Sequence, residues 1–262
     1  MKHFFIIAFF AVVSLVGCAK SVDTNPPTRT ELKDEHVVML GDSNTWIGGD
    51  GCSKPAGWNY WFVKLAAPAS AHSYARSGAT WTATPCTRRD VKGNVGVISD
   101  NNVIYNQVAR LQEAVKSGSQ PVPTLVFISA GANDAWFSRR RPRALKDSSC
   151  SSYSESPASA MTLPDAVKQT CGMLKKEFPD VRIVVLVPFP MKSVKTESME
   201  RASRLISETA REVGAEVIFQ KESGVGYGTS GEPSTSDGNH TNPHGAEILG
   251  RFIYDKLKGG ES

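Results

Sequence analysis

Apolar positions along the chain fall into two alternating patterns. Short runs occupy residues 36–40, 124–129 and 181–187, each closed within two residues by Gly or Pro, and 216–219, and a weaker mixed run at 71–76 stops at Ser77-Gly78. Runs of this length and apolarity read as strands buried on both faces of a sheet. Between them lie longer stretches, at 58–67, 103–117, 162–178, 196–213 and 243–257, where apolar residues recur every three or four positions. That spacing predicts amphipathic helices. Their ends carry the expected punctuation: Thr162 as an N-cap, then Gly118, Pro179 and Gly214 as stops.

Strands alternate with helices throughout, so the pattern predicts a parallel sheet covered by helices on both faces, a three-layer α/β/α sandwich. No internal repeat and no second domain is visible, and residues 35–260 read as one domain. In such sheets ligands bind beyond the carboxyl ends of the strands. The residues that follow each strand are therefore the ones to read for chemistry.

The first residues change the picture of where the protein works. Met1-Lys2-His3 is a short basic start, and residues 4–16 are almost unbroken apolar sequence. The run is shorter than the roughly 20 residues a membrane span needs and has the form of a secretory signal. It ends in Leu15-Val16-Gly17-Cys18, which resembles the bacterial lipobox. The resemblance implies cleavage before Cys18, lipid on that residue, and a cell-envelope lipoprotein held at the membrane by its anchor. Ala19, where an Asp would retain such proteins at the inner membrane, points to the outer one. The alternatives are a plain signal peptide or an N-terminal helix with an incidental Cys. Residues 19–34, with Asn25-Pro26-Pro27-Thr28, read as a tether.

Composition adds mainly exclusions. At 40% hydrophobic and 21% charged the 262-residue chain is not a disordered one. A net charge of +4, scattered apart from Arg139-Arg140-Arg141-Pro142-Arg143, argues against a nucleic-acid partner. Export makes Cys52, Cys86, Cys150 and Cys171 an even set in an oxidising compartment. The expectation is Cys52–Cys86 and Cys150–Cys171 disulfides, against the alternative of free buried thiols. Their spacing fits no zinc site.

Four short segments follow the predicted strands: Gly41-Asp42-Ser43, Ser77-Gly78, Gly131-Ala132-Asn133-Asp134 and Asp237-Gly238-Asn239-His240. Each alone is an ordinary turn or cap composition. Together they supply what nucleophilic catalysis needs. Ser43 offers a hydroxyl, His240 an imidazole base, and Asp237 a carboxylate to orient it. The N–H of Ser43, the N–H of Gly78 and the amide of Asn133 offer donors to an oxyanion. Asp42 and Asp134 read as supporting groups that hold these loops. His244 is a rival base, but a helix start beside Pro243 suits a structural role better; His36 and His72 also read as structural.

In residue type, order and spacing these segments resemble the SGNH (GDSL-type) hydrolase family, over residues 37–249. The resemblance implies a flavodoxin-like α/β/α fold and ester hydrolysis by Ser43, His240 and Asp237, with no metal and no organic cofactor. The Gly-x-Ser-x-Gly elbow of α/β-hydrolases is absent around Ser43.

The substrate is less legible. Trp46, Trp81 and Trp136 each follow one of the four segments closely and are candidates for lining a sugar-binding pocket. The long polar stretch 138–160 is either a cover for the site, its arginines meeting an acidic substrate, or a solvated loop. A surface lipoprotein with this chemistry suits deacetylation of glycans. A lipase or lysophospholipase is the alternative enzyme, and a silent carbohydrate-binding protein is the alternative outside catalysis.

Overall fold

The computed structural model describes residues 31–92, 99–147 and 156–259. Strands β1 (His36–Gly41), β2 (Ser70–Ser73), β3 (Leu125–Ser129), β4 (Arg182–Val187) and β5 (Glu216–Phe219) form one sheet in the order β2-β1-β3-β4-β5. Every pairing is parallel. This is the flavodoxin-like strand order. The helices are α1 (Ser43–Trp46), α2 (Trp58–Ala66), α3 (Ile104–Lys116), α4 (Ala132–Trp136), α5 (Leu163–Glu177), α6 (Thr196–Glu212) and α7 (Pro243–Lys258). Helix α2 packs on α7, and α5 lies between α3 and α6. Val37, Val38, Met39 and Leu40 point alternately to the two faces and are all fully buried, so both faces are covered.

The core at the centre of the sheet is aromatic. Phe127 of β3 meets the edges of Trp58 and Phe62 of α2, with ring centroids 5.7 and 4.8 Å apart. Burying one such ring contributes about 2–3 kcal/mol. The indole N–H of Trp58 donates to Thr45 Oγ1 at 3.0 Å, which ties this core to the first residues after β1. Gly250 lets α7 close on α2, because a Cβ there would stand 2.6 Å from the Trp58 carbonyl oxygen.

Departures from the sequence reading are local. Helices α1 and α4 are four and five residues long, too short to show a period, and were not predicted. Strand β2 spans 70–73 rather than 71–76, although the Arg76 N–H still donates to the Gly41 carbonyl. The described chain begins with a 3-10 turn, Leu32–Asp34, whose Leu32 packs on the core.

The expected disulfides are not formed. Cys52, Cys86 and Cys171 are free thiols, and Cys150 lies outside the described residues. Cys52 sits at a positive φ of 51° that turns its side chain inward. Its Sγ lies 3.5 Å from both Met39 Sδ and Asn59 Nδ2, whereas Cys86 is on an exposed turn. Burial pushes the Cys52 and Cys171 thiols up to about 12, so both behave as small apolar groups.

Candidate active site

The site is built outward from the end of β1. Gln107 of α3 grips Gly41 through both backbone groups: its Oε1 accepts from the Gly41 N–H at 2.7 Å and its Nε2 donates to the Gly41 carbonyl at 2.8 Å. A side chain at 41 would meet the Ser129 carbonyl oxygen at 2.6 Å, so only glycine lets β1 and β3 approach here. Asp42 then caps α1, its Oδ1 accepting from the Asn44 N–H at 3.1 Å. Burial pushes the Asp42 carboxyl up to about 7, and the Asn44 N–H and the His240 charge offset part of that rise. Ser43 opens α1, so its N–H lacks a partner within the helix.

The Asp237–His240 segment arrives from the other end of the chain. Asp237 uses one carboxylate oxygen for the turn and the other for the ring. Its Oδ1 accepts from the Asn239 and His240 N–H groups, both at 2.8 Å, and its Oδ2 lies 2.8 Å from His240 Nδ1. Gly238 makes this possible: its φ is +84°, and a Cβ would stand 2.7 Å from Lys192 Cβ. His240 Nε2 then lies 3.0 Å from Ser43 Oγ. With Nδ1–H donating to the carboxylate, Nε2 is left free to accept the serine proton. Burial acts to raise the Asp237 carboxyl, but the hydrogen bonds from the His240 ring, the His240 N–H and the Asn239 N–H outweigh it and hold it down at about 2.

Asn44, beside Ser43, brackets His240. Its Nδ2 donates to the Asn239 carbonyl at 3.1 Å and its Oδ1 accepts from the Thr241 N–H at 3.0 Å. The residue is 3% exposed. The backbone on either side of the imidazole is thus held by the neighbour of the hydroxyl it faces.

On the opposite flank, Gly78 has a φ of +70° and Asn133 donates through Nδ2 to the Ala79 carbonyl at 2.9 Å. That bond uses one of the two amide hydrogens and orients the other. Among the described residues neither the Ser43 N–H nor the Gly78 N–H meets an acceptor. Asp134 is fully buried and accepts from the Trp81 N–H, the Thr82 N–H and the Thr82 hydroxyl at 3.0, 2.9 and 2.6 Å. Burial pushes this carboxyl up, against the Thr82 bonds and the Arg141 charge. Arg141 in turn donates to the Thr82 carbonyl at 2.7 Å.

Two of the three tryptophans stand where a ligand can reach them. Trp46 is 44% and Trp136 41% exposed, the latter stacked on Phe137. Trp81 is 1% exposed and its indole N–H donates to the Ala130 carbonyl at 3.0 Å, so it braces the two loops from inside rather than facing solvent. His244 lies on the surface 3.7 Å from Glu232, away from Ser43's hydrogen bond. Of the arginine cluster, Arg141 is buried as a loop support; residues 148–155 of the polar stretch lie outside the described residues. Sequence reading missed Gln107 and Asn44, and it placed Arg141 among the arginines of the polar stretch rather than as a loop support. Only Asn44 carried a signal, its position next to the serine.

Residues 39–248 match the model of the GDSL-like lipase/acylhydrolase family. No curated protein matches the chain. Several solved structures share its fold. A protein from Lactobacillus plantarum is similar with a TM-score of 0.59 at 14% identity, over 87% of this chain and 98% of its own. One from Bacteroides ovatus assigned to the GDSL-like lipases gives 0.58 at 15%, over 86% and 99%. TesA gives 0.54 at 18%, over 85% and 98%. At such identities the structural likeness speaks for the fold, whereas the sequence match extends over most of the domain and takes in all four strand-end segments. The chain therefore belongs to the GDSL-like lipase/acylhydrolase family and is an ester-hydrolysing enzyme.

Proposed function

We propose that Ser43 is the nucleophile of this enzyme, His240 its base and then its acid, and Asp237 the group that orients the imidazole, and that its substrates are acetylated glycans. The reading rests on the hydrogen-bonded path from Ser43 Oγ through the His240 ring to Asp237, with steps of 3.0 and 2.8 Å. His240 Nε2 takes the Ser43 proton as Oγ attacks the ester carbonyl carbon. The negative charge that develops on the carbonyl oxygen meets the Ser43 N–H, the Gly78 N–H and the second amide hydrogen of Asn133. Collapse breaks the carbon–oxygen bond, and the imidazolium returns its proton to the departing alcohol. Water, deprotonated by the same nitrogen, then releases the acid and frees Ser43. Asp237 stays ionised throughout, in keeping with its low pKa.

The glycan part of the reading is supported by Trp46 and Trp136, large exposed rings three residues beyond Ser43 and Asn133. Export and lipid attachment at Cys18 belong to the same proposal, and Cys18 lies outside the described residues. Labelling with radioactive palmitate, lost in Cys18→Ala, tests the anchor.

A fluorophosphonate probe should label wild type at Ser43, and Ser43→Ala should lose p-nitrophenyl acetate hydrolysis by about 10⁴-fold or more while keeping its melting temperature. Near-normal turnover by that variant would remove Ser43 from the mechanism. A series of esters from acetate to palmitate, with acetylated polysaccharide alongside, tests the substrate: preference for long acyl chains would replace the glycan reading with a lipase.

A further inference from the structure

Two adjoining hollows run along the β4–β5 side of the site. The smaller, about 390 Å³, is bordered by Asp237, Gly238, Thr229, Lys192 and Tyr227. The larger, about 650 Å³, has Met191, Met199 and Phe219 in its walls and Lys192, Lys195 and Lys221 around it. Lys192 and Tyr227 border both. Lys192 is also fastened to the segment that carries the imidazole, and Tyr227 to the chain just before Lys192. The Lys192 N–H donates to the Gly238 carbonyl at 2.9 Å, and the Tyr227 N–H donates to the Pro190 carbonyl at 2.9 Å. A Cβ at Gly238 would stand 2.7 Å from Lys192 Cβ and 3.2 Å from Tyr227 Cδ2, so both side chains close directly over that residue.

The charges here are unbalanced. Neither Lys192 nor Lys195 enters an ion pair among the described residues, and Lys221 lies 5.7 Å from the Phe219 ring centroid. Arg204, also on the larger hollow, is neutralised by Glu208 at 3.0 Å. The facing carboxylates are Glu200 and Asp237, and Asp237 is engaged with His240. Three lysines thus face one uncommitted carboxylate beside a tyrosine ring that is 52% exposed. Unpaired cations around an open hollow select anions, and an exposed ring suits the C–H face of a sugar.

Strand order indicates which half of the ester would lie there. Gly78 and Asn133 follow β2 and β3, whereas Lys192 and Tyr227 follow β4 and β5, on the far side of the sheet. The departing alcohol takes its proton from His240, so it leaves toward the imidazole segment that these two residues cover. We propose that Lys192 and Tyr227, with Lys195 behind them, form a subsite for a carboxylate-bearing sugar on the alcohol side of the ester, so that acetylated acidic glycans are the preferred substrates. This rests on the esterase reading above and adds to it a residue-level choice between acidic and neutral polymers.

The full chain is assayed on acetylated polygalacturonate, acetylated glucomannan and p-nitrophenyl acetate, as wild type and as the Lys192→Glu/Lys195→Glu and Tyr227→Ala variants. Wild type should favour the acidic polymer by about tenfold in kcat/KM at low salt, and the preference should shrink at high salt. The double variant should lower the acidic-to-neutral ratio by at least about tenfold, and Tyr227→Ala should raise KM on both polymers more than on p-nitrophenyl acetate. Equal rates on the two polymers in wild type, or an unchanged ratio in the double variant, would overturn the subsite. Failure of wild type to cleave p-nitrophenyl acetate would instead overturn the esterase reading. Calorimetry with a galacturonate oligomer then decides the subsite separately: binding lost in the double variant supports it, and no binding overturns it. If the double variant does not fold, Lys192→Gln takes its place in both assays.

Discussion

The two flanks of the candidate site are held in opposite ways. On the Gly78–Asn133 flank, Asp134 is fully buried, collects three hydrogen bonds from Trp81 and Thr82, and stands behind an indole that is itself core. On the imidazole flank, the side chains of Asp237 and His240 are 51% and 35% exposed, and short-range bonds within one turn do the shaping. Both flanks present groups to Ser43, yet only the first is continuous with the hydrophobic core. The difference teaches that burial in the core and nearness to Ser43 are separable here: Asp134 is tied into the core, whereas Asp237 holds the imidazole beside Ser43 from an exposed turn.

The sharpest way to break the comparison is Asp237→Asn. The amide offers N–H where the carboxylate accepted, which favours the wrong imidazole tautomer, so kcat should fall by about 10³–10⁴-fold with little change in melting temperature. A large loss of stability in thermal melts would show that the imidazole flank is core-coupled after all. Asp134→Ala is the mirror experiment. It strands buried donors on Trp81 and Thr82 and should cost roughly 3–5 kcal/mol, on the order of 10 °C in melting temperature. Urea unfolding measures it, and a stable but inactive variant would reverse the assignment of roles.

Asn44→Ala sharpens the boundary between the flanks, because Asn44 is buried yet grips the exposed turn. Its loss should lower kcat about tenfold with KM nearly unchanged, since it acts through the position of His240 and touches no substrate. A rise in KM alone would place its influence on binding instead. The smallest effect concerns Asp42. Its carboxyl is raised to about 7 in the folded protein from an ordinary value of 3.8, so the folded state holds the extra proton between those values. Stability from this group is therefore full below about pH 4 and declines as pH rises through 7. Asp237 has the opposite sign: it is lowered to about 2, but its side chain is half exposed and screened by solvent, so the stability it adds above 3.8 and loses as pH falls toward 2 is small. Asp42→Asn keeps an acceptor for the Asn44 N–H, so melting temperatures between pH 5 and 8 should vary less in that variant than in wild type. An identical pH dependence would show that Asp42 does not hold a proton there.

How much of this could be read from the sequence depends on range. The strands at 181–187 and 216–219 and the helices at 162–178 and 196–213 show their period within a few residues, and the structure has them within one or two positions. The caps at Thr162 and the stop at Gly214 are equally local. Two wrong readings turned on partners outside the local period. Trp81 looked like pocket lining until Ala130, forty-nine residues on, claimed its N–H. Cys52 looked like half of a disulfide until Met39 and Asn59 enclosed it.

What the chain alone determined is the alternation of strand and helix, and with it the parallel sheet whose carboxyl edge gathers the four motif segments. Those features follow from periodicity and from turn chemistry between neighbours, which are properties of short stretches. Tertiary structure alone decided which tryptophans meet solvent, which thiols stay single, and that Asn44 and Gln107 hold the backbone around Ser43. Those outcomes depend on groups from seven to nearly two hundred residues apart sharing a few ångströms, and no helix or strand period encodes a contact of that kind.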